Sequence, residues 1–310
     1  MRLTILLVLP ILFFSCGKKS ATPAATPTDI SGSFVFKGEA RTYTVHLPQA
    51  YFARTGQLPL VLALHGGFGS ASQMARLTNL NTTADTAGFI VVYPDGLDNP
   101  SGAKTWNAGN CCGVNASLKN TDDVGFIAAL IDTLGNRYGI NKKRVYATGH
   151  SNGAMMCYRL ASELSGKIAA IAPNAGAFQM KTPYNPSRNV PVLHIHSKLD
   201  QNAKYAGGKS QNYTLTGLDN APVDSCLNVV AAKAGCIANK QTIATFPLYT
   251  IYRWNGCTAA DFQVLLYLTE DGGHSWPGGN QSTGLDTDVT SKAFSNNNII
   301  WSFFSQYSLP

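Results

Sequence analysis

A short apolar run, Val145-Tyr146-Ala147-Thr148, leads directly into Gly149-His150-Ser151-Asn152-Gly153, and Ala154–Ala161 leaves it at helical period. The five-residue string is weak by itself. Flanked by a strand and a helix it is far more restrictive, because it reads as the sharp strand–turn–helix junction known as a nucleophile elbow. A turn this tight brings neighbouring backbone into contact, so a Cβ at either glycine would clash. The turn would hold the Ser151 hydroxyl above a sheet, at the positive end of the following helix.

The rest of the chain supplies the sheet. Apolar runs of strand length fall at Tyr43–Leu47, Leu58–Leu64, Phe89–Tyr93, Arg144–Thr148, Ile168–Ala172, Pro191–His196 and Phe262–Thr269. Helical patterns alternate with them at Ala71–Ala87, Asp122–Tyr138, Gly153–Leu164, Ala221–Ala234 and Thr290–Tyr307. Val61–Leu64 and Ile90–Tyr93 are apolar on both faces, as buried parallel strands are. The alternation predicts an α/β fold, a mostly parallel central sheet with helices on both faces. With 45% hydrophobic residues among 310, the chain is not a disordered scaffold. The net charge of +7 is scattered, which argues against a nucleic-acid partner.

The N-terminus reads as an export signal. Arg2 precedes the apolar run Leu3–Phe14, which is too short to span a membrane. Ser15-Cys16-Gly17 follows and resembles a bacterial lipoprotein signal, in which Cys16 would be lipidated. Residues 1–16 are then signal and lipidation site, 17–30 a Pro/Thr/Ala tether, and 31–310 one catalytic domain. The chain is expected to be exported and lipid-anchored in the bacterial cell envelope, or secreted. Export permits disulfides. Six cysteines remain, Cys111, Cys112, Cys157, Cys226, Cys236 and Cys257, and fifteen full pairings are open. Cys111 and Cys112 are adjacent and are not expected to bond each other. No CxxC spacing marks a metal or redox site.

A nucleophilic serine needs donors aimed at a developing oxyanion. One candidate is the backbone N–H of Asn152, which follows the nucleophile. The other falls in His65-Gly66-Gly67-Phe68-Gly69, just after Leu60–Leu64, with Gly67 favoured and Phe68 second. His65 is read as a loop-positioning residue. Three histidines follow Ser151. His194 and His196 lie in a strand on one face and read as packed or hydrogen-bonded residues. His274 sits in the Gly-rich loop 270–279, where a catalytic base belongs. Asp200, just past the His196 strand, is the favoured orienting acid. Asp271 is its main rival, and Asp219, Asp224 and Asp261 follow no strong strand.

With these residues placed, the chain resembles the secreted esterases grouped with poly(3-hydroxybutyrate) depolymerases, feruloyl esterases and acetylxylan esterases. The resemblance rests on LALHGGFGSA (62–71), VVYPDG (91–96), TWNAGNCCG (105–113), DDVGFIAALID (122–132), VYATGHSNGAMMCYRLA (145–161), PVLHIHSKLD (191–200) and GGHSWPGG (272–279). It implies the α/β-hydrolase fold, Ser151 as nucleophile, Asp200 as acid and His274 as base. It also implies a Cys236–Cys257 disulfide and a buried free thiol at Cys157. The segment SKLDQNAKYAGG (197–208) departs from the family pattern but leaves Asp200 in register.

The expected activity is that of a serine carboxylic ester hydrolase removing feruloyl or acetyl groups from plant polysaccharide. Trp106, Trp276 and Phe68 are candidate substrate contacts. A polyhydroxyalkanoate depolymerase is the alternative; polymer-degrading relatives often carry an adsorption domain, for which this chain has no room. A non-catalytic lipid-anchored binding protein would require a broken triad. No metal or organic cofactor is expected. The partner would be a polymeric or oligomeric ester met by a monomer, with membrane contact only through the lipid.

Overall fold

A computed structural model of the chain describes residues 28–98, 102–112, 119–237, 239–259, 262–282 and 288–310. Cys16, the signal and most of the tether lie outside the described residues, as does Asp261.

The strands are β1 (Asp29–Phe36), β2 (Glu39–His46), β3 (Leu58–Leu64), β4 (Ile90–Pro94), β5 (Leu97–Asp98), β6 (Lys104–Thr105), β7 (Ile140–His150), β8 (Ala170–Asn174), β9 (Val192–Ser197), β10 (Gly208–Lys209), β11 (Asp219–Asn220), β12 (Lys240–Phe246), β13 (Tyr249–Trp254) and β14 (Val264–Thr269). The helices are α1 (Ala50–Ala53), α2 (Ala71–Thr78), α3 (Leu80–Ala87), α4 (Asp123–Tyr138), α5 (Asn152–Glu163), α6 (Tyr213–Thr216), α7 (Val223–Lys233) and α8 (Asn296–Phe304). Ten strands form one sheet in the order β1-β2-β4-β3-β7-β8-β9-β14-β13-β12. From β4 to β14 all neighbours run parallel. Antiparallel strands flank this centre at both ends.

Strand alternation divides the core in two. Leu60, Leu62, Val145, Ala147, Ile171 and Val192 face α4, α5 and α7. Val61, Ala63, Tyr146, Ala170, Leu193 and Ile195 face α2, α3 and α8. Both faces are therefore sealed by helices, which is why these strands read as unbroken apolar runs. Parallel direction brings the C-terminal ends of β3, β7, β9 and β14 to one rim. There the chain continues into the 65–69 loop, Ser151, Asp200 and His274, at the edge where open α/β sheets hold ligands.

The structure corrects several local expectations. The single helix over 71–87 is two helices, broken at Asn79, whose φ is 49°. The helix read over 290–307 spans only Asn296–Phe304, because Ser291 and Lys292 are tied to Asp271 instead. β1 begins at Asp29, so residues 29–30 are sheet, not tether. β12 and β13 lack a long apolar run and were invisible to that criterion; β12 is almost wholly exposed.

Candidate active site

The elbow is built by steric exclusion. Ser151 has φ 55° and ψ −118°, a strained conformation for a residue with a Cβ. A Cβ on Gly149 would lie 2.5 Å from the Gly153 carbonyl carbon. One on Gly153 would overlap the carbonyl oxygens of Leu64 and His65, and one on Gly176 the carbonyl oxygen of Ser151. The Ser151 N–H donates to Asn174 O at 3.0 Å, which anchors the turn to the end of β8.

The 65–69 loop packs against this turn. Built Cβ atoms at Gly66 and Gly67 would lie 3.4 Å from Ser151 Cβ and 3.7 Å from Asn152 Cβ, respectively. The Phe68 N–H donates to Lys104 O at 2.8 Å, so it is committed elsewhere and is not the second oxyanion donor. Among the described residues, the N–H groups of Gly67 and Asn152 have no acceptor. Phe68 does line the cavity, with φ 63°.

His65 is locked at both nitrogens. Its Nδ1 donates to Gly66 O at 2.7 Å, and its Nε2 accepts from the Gly96 N–H at 3.0 Å. Burial lowers its pKa to about 4, against the opposing pull of the Gly66 hydrogen bond and Asp95. It is a neutral loop clamp, with no nitrogen left to act as a base.

Trp106 and Trp276 do not line the cavity. Trp106 is wholly buried in one core, and its Nε1–H donates to His65 O at 2.9 Å. Its backbone pairs with the Asn152 side chain, N–H to Oδ1 at 2.7 Å and Nδ2 to the carbonyl at 3.2 Å. It ties the 65–69 loop to the elbow. Trp276 is buried in the other core, and its Nε1–H donates to Asn297 Oδ1. A buried indole needs its N–H satisfied, and here both partners are internal.

His274 is held from three sides. Its Nδ1 lies 2.7 Å from Asp200 Oδ2. Its backbone N–H donates to Asp288 Oδ2 at 2.6 Å, and its ring packs on His150 with centroids 4.6 Å apart. The other Asp200 oxygen accepts from the N–H groups of Asn202 and Ala203, at 2.9 and 2.8 Å. Burial would raise the Asp200 pKa, but the His274 charge and hydrogen bond, His196 and the Ala203 N–H outweigh it, and the carboxyl sits below its ordinary value. Asp271 instead accepts from Ser291 Oγ and the Lys292 N–H, at 2.6 and 2.8 Å. Asp224 pairs with Lys240 and Tyr205.

Two further residues hold the His274 loop by hydrogen bonds and belong to no motif. Asp288 sits in a polar loop with no periodicity, and no sequence signal marks it. Asn174 donates to Ser275 O at 2.9 Å and contacts His150 Nδ1 at 2.9 Å. Its position at the end of a parallel strand was the available signal.

Ser151, His274, Gly67 and Phe68 share the wall of one cavity of about 510 Å³. Met74, Leu77 and Leu218 add apolar surface, and Asn202 and Asn212 polar groups. Cys112 also reaches this wall. The structure pairs it with Cys111, contrary to expectation, and gives Cys112 a positive φ of 69°. Cys236 and Cys257 form a disulfide, and Cys157 and Cys226 are buried free thiols. Burial raises both thiols, Cys226 to about 11. Among the described residues, no cluster of His, Cys, Asp or Glu is arranged to hold a metal ion.

A doubly covered parallel sheet with a strained serine between β7 and α5 defines the α/β-hydrolase class. Within that class the chain belongs to the family described as Esterase PHB depolymerase, whose model matches residues 41–236. It is a carboxylic ester hydrolase. The protein NocK of Nocardia uniformis subsp. tsuyamanensis is 30% identical over 83% of this chain and 76% of its own length. The bifunctional acetylxylan esterase/xylanase XynS20E of Neocallimastix patriciarum is 34% identical over 70% of this chain. Feruloyl esterase B of Piromyces equi is 32% identical over 49% of this chain. The matches span only 29% and 28% of these two longer relatives. The solved acetyl xylan esterase from Aspergillus awamori shares the fold, with a TM-score of 0.57 and 15% identity over 86% of this chain and 94% of its own.

Proposed function

We propose that this esterase works through Ser151, His274 and Asp200 on feruloyl or acetyl esters of plant cell-wall polysaccharide. His274 takes the Ser151 proton as the hydroxyl attacks the ester carbonyl. The Gly67 and Asn152 N–H groups stabilise the resulting oxyanion. His274 then returns the proton to the departing alcohol, leaving an acyl-enzyme, and a water repeats the sequence to release the acid. Asp200 holds the imidazole in the tautomer that presents a bare Nε2 and stabilises its cation. The observation that carries this reading is the 2.7 Å contact between His274 Nδ1 and a buried, ionised Asp200, on a loop that shares a cavity wall with Ser151. The relatives named for acetylxylan and feruloyl ester cleavage support the substrate class.

The test is hydrolysis of p-nitrophenyl acetate by the protein lacking residues 1–27 and by Ser151→Ala. The variant should lose at least about 10³-fold in kcat; turnover equal to the parent would refute the nucleophile. Methyl ferulate, acetylated xylan and hydroxybutyrate oligomers then rank the substrates. Hydroxybutyrate polyester cleavage is the second reading, favoured by the family description, and preferred turnover of those oligomers would install it.

Export with lipidation at Cys16 is part of the same proposal. No helix among the described residues is long and apolar enough to cross a membrane. Labelled palmitate incorporated by the full chain and lost in Cys16→Ser would support the anchor, and unlabelled wild-type protein would exclude it.

A further inference from the structure

The two strand histidines take no part in the chemistry above, yet they reach it through hydrogen bonds whose direction is forced. His196 Nε2 lies 2.5 Å from Ala203 O. A carbonyl only accepts, so Nε2 carries the proton and Nδ1 is bare. His194 Nε2, 2.9 Å from that Nδ1, must then donate. This leaves His194 Nδ1 bare, to accept from the Tyr158 hydroxyl at 2.7 Å. All three side chains are essentially buried. Burial, the largest influence on each imidazole, lowers both below their ordinary value; for His196 the nearby Asp200 opposes it, and His274 and His150 add to it. Neutral rings are what the one-way chain requires.

The chain ends on the turn that carries the acid. Ala203, whose carbonyl accepts from the His196 Nε2–H, gives its own N–H to Asp200 Oδ1. The same His196 Nε2 lies 3.5 Å from Asp200 Oδ2, the oxygen that meets His274. A buried polar string costs stability unless every member is satisfied, so an apolar pair on this strand would serve packing alone equally well. The satisfied string has one outlet, the 200–203 turn.

We infer that His196 is a positioning residue: its Nε2–H clamps the 200–203 turn through Ala203 O and so orients the Asp200 carboxylate toward His274, while His194 and Tyr158 lock the tautomer that makes it a donor. This rests on reading Asp200 and His274 as acid and base.

Two amides of equal polarity test it. A glutamine amide reaches the place of imidazole Nε2, whereas an asparagine amide stops near Nδ1. In the full chain, His196→Gln should keep kcat within about threefold of wild type, and His196→Asn should lose at least about tenfold, with KM within about twofold in both. Equal kcat in the two variants, or a loss confined to KM, overturns the inference. Nitrogen-15 spectra of the wild-type protein give a readout that needs no variant. Both strand histidines should show the Nε2–H tautomer, and an Nδ1–H form of His196 overturns the clamp. If Ser151→Ala retains activity, the failure lies in the catalytic reading, and the tautomers still decide the hydrogen-bond chain.

Discussion

The elbow at Ser151 and the loop at His274 reach the same cavity by opposite means. The elbow is made by what its backbone forbids: Gly149, Gly153 and Gly176 are small because other chain segments occupy the space of a Cβ. The His274 loop is made by what distant side chains supply: Asp200, Asp288 and Asn174 each hold one part of it, from 74, 14 and 101 residues away. Steric exclusion writes itself into a short string of residues. Attachment by side chains leaves almost no local trace.

The contrast can be broken most sharply from the loop side. On the proposed mechanism, Asp200→Asn should lower kcat about 10⁴-fold, because an amide favours the wrong His274 tautomer while leaving the fold intact. Steady-state kinetics beside a melting curve would check it; a parallel loss of stability would mean that Asp200 is chiefly structural. From the elbow side, Gly153→Ala should destabilise by about 4 kcal/mol or more, since its Cβ meets two backbone carbonyls that cannot swing away. Urea melts measure this, and a near-neutral result would show that the turn relaxes.

A third, intermediate effect comes from acid. The folded His65 ring resists protonation down to about 4, whereas an unfolded one takes a proton near 6.5. The unfolded chain thus binds more protons across that window, and stability should fall by about 3 kcal/mol from this group as pH drops from 6.5 to 4. His194 and His196 act in the same direction. The depressed Asp200 carboxyl works on a lower window, its contribution being lost only as pH falls through its folded value. Urea melts at pH 7 and pH 4 for wild type and His65→Gln should show a flatter dependence in the variant; identical slopes would remove His65 from the account. The smallest expected change is Asp288→Asn, about tenfold in kcat with unchanged stability, because the His274 N–H loses a charged acceptor but keeps a polar one.

What was legible follows from the same distinction. The parallel strands were readable because both of their faces are covered, and Ser151 because strand, glycines and helix are contiguous. The contact of His274 with Asp200 was readable by their order and by their place after strands. The exposed β12 and the hairpin it forms with β13 carry no core-facing run, so periodicity passed over them. The helix break at Asn79 turned on one left-handed residue within an otherwise helical pattern. The tryptophans misled because aromatic character signals a sugar or phenol cleft and a packed core equally well; the internal acceptors His65 O and Asn297 Oδ1 decide the matter, and neither is near in sequence.

The parallel centre has a consequence for descent with change. Because every central strand delivers its end to one rim, the segments around residues 66–69, 202–218 and 280–282 border the cavity without contributing to the ten-stranded sheet. Insertions there would reshape what enters while the layer beneath keeps its register. One scaffold can thus try new esters at little risk to its own folding.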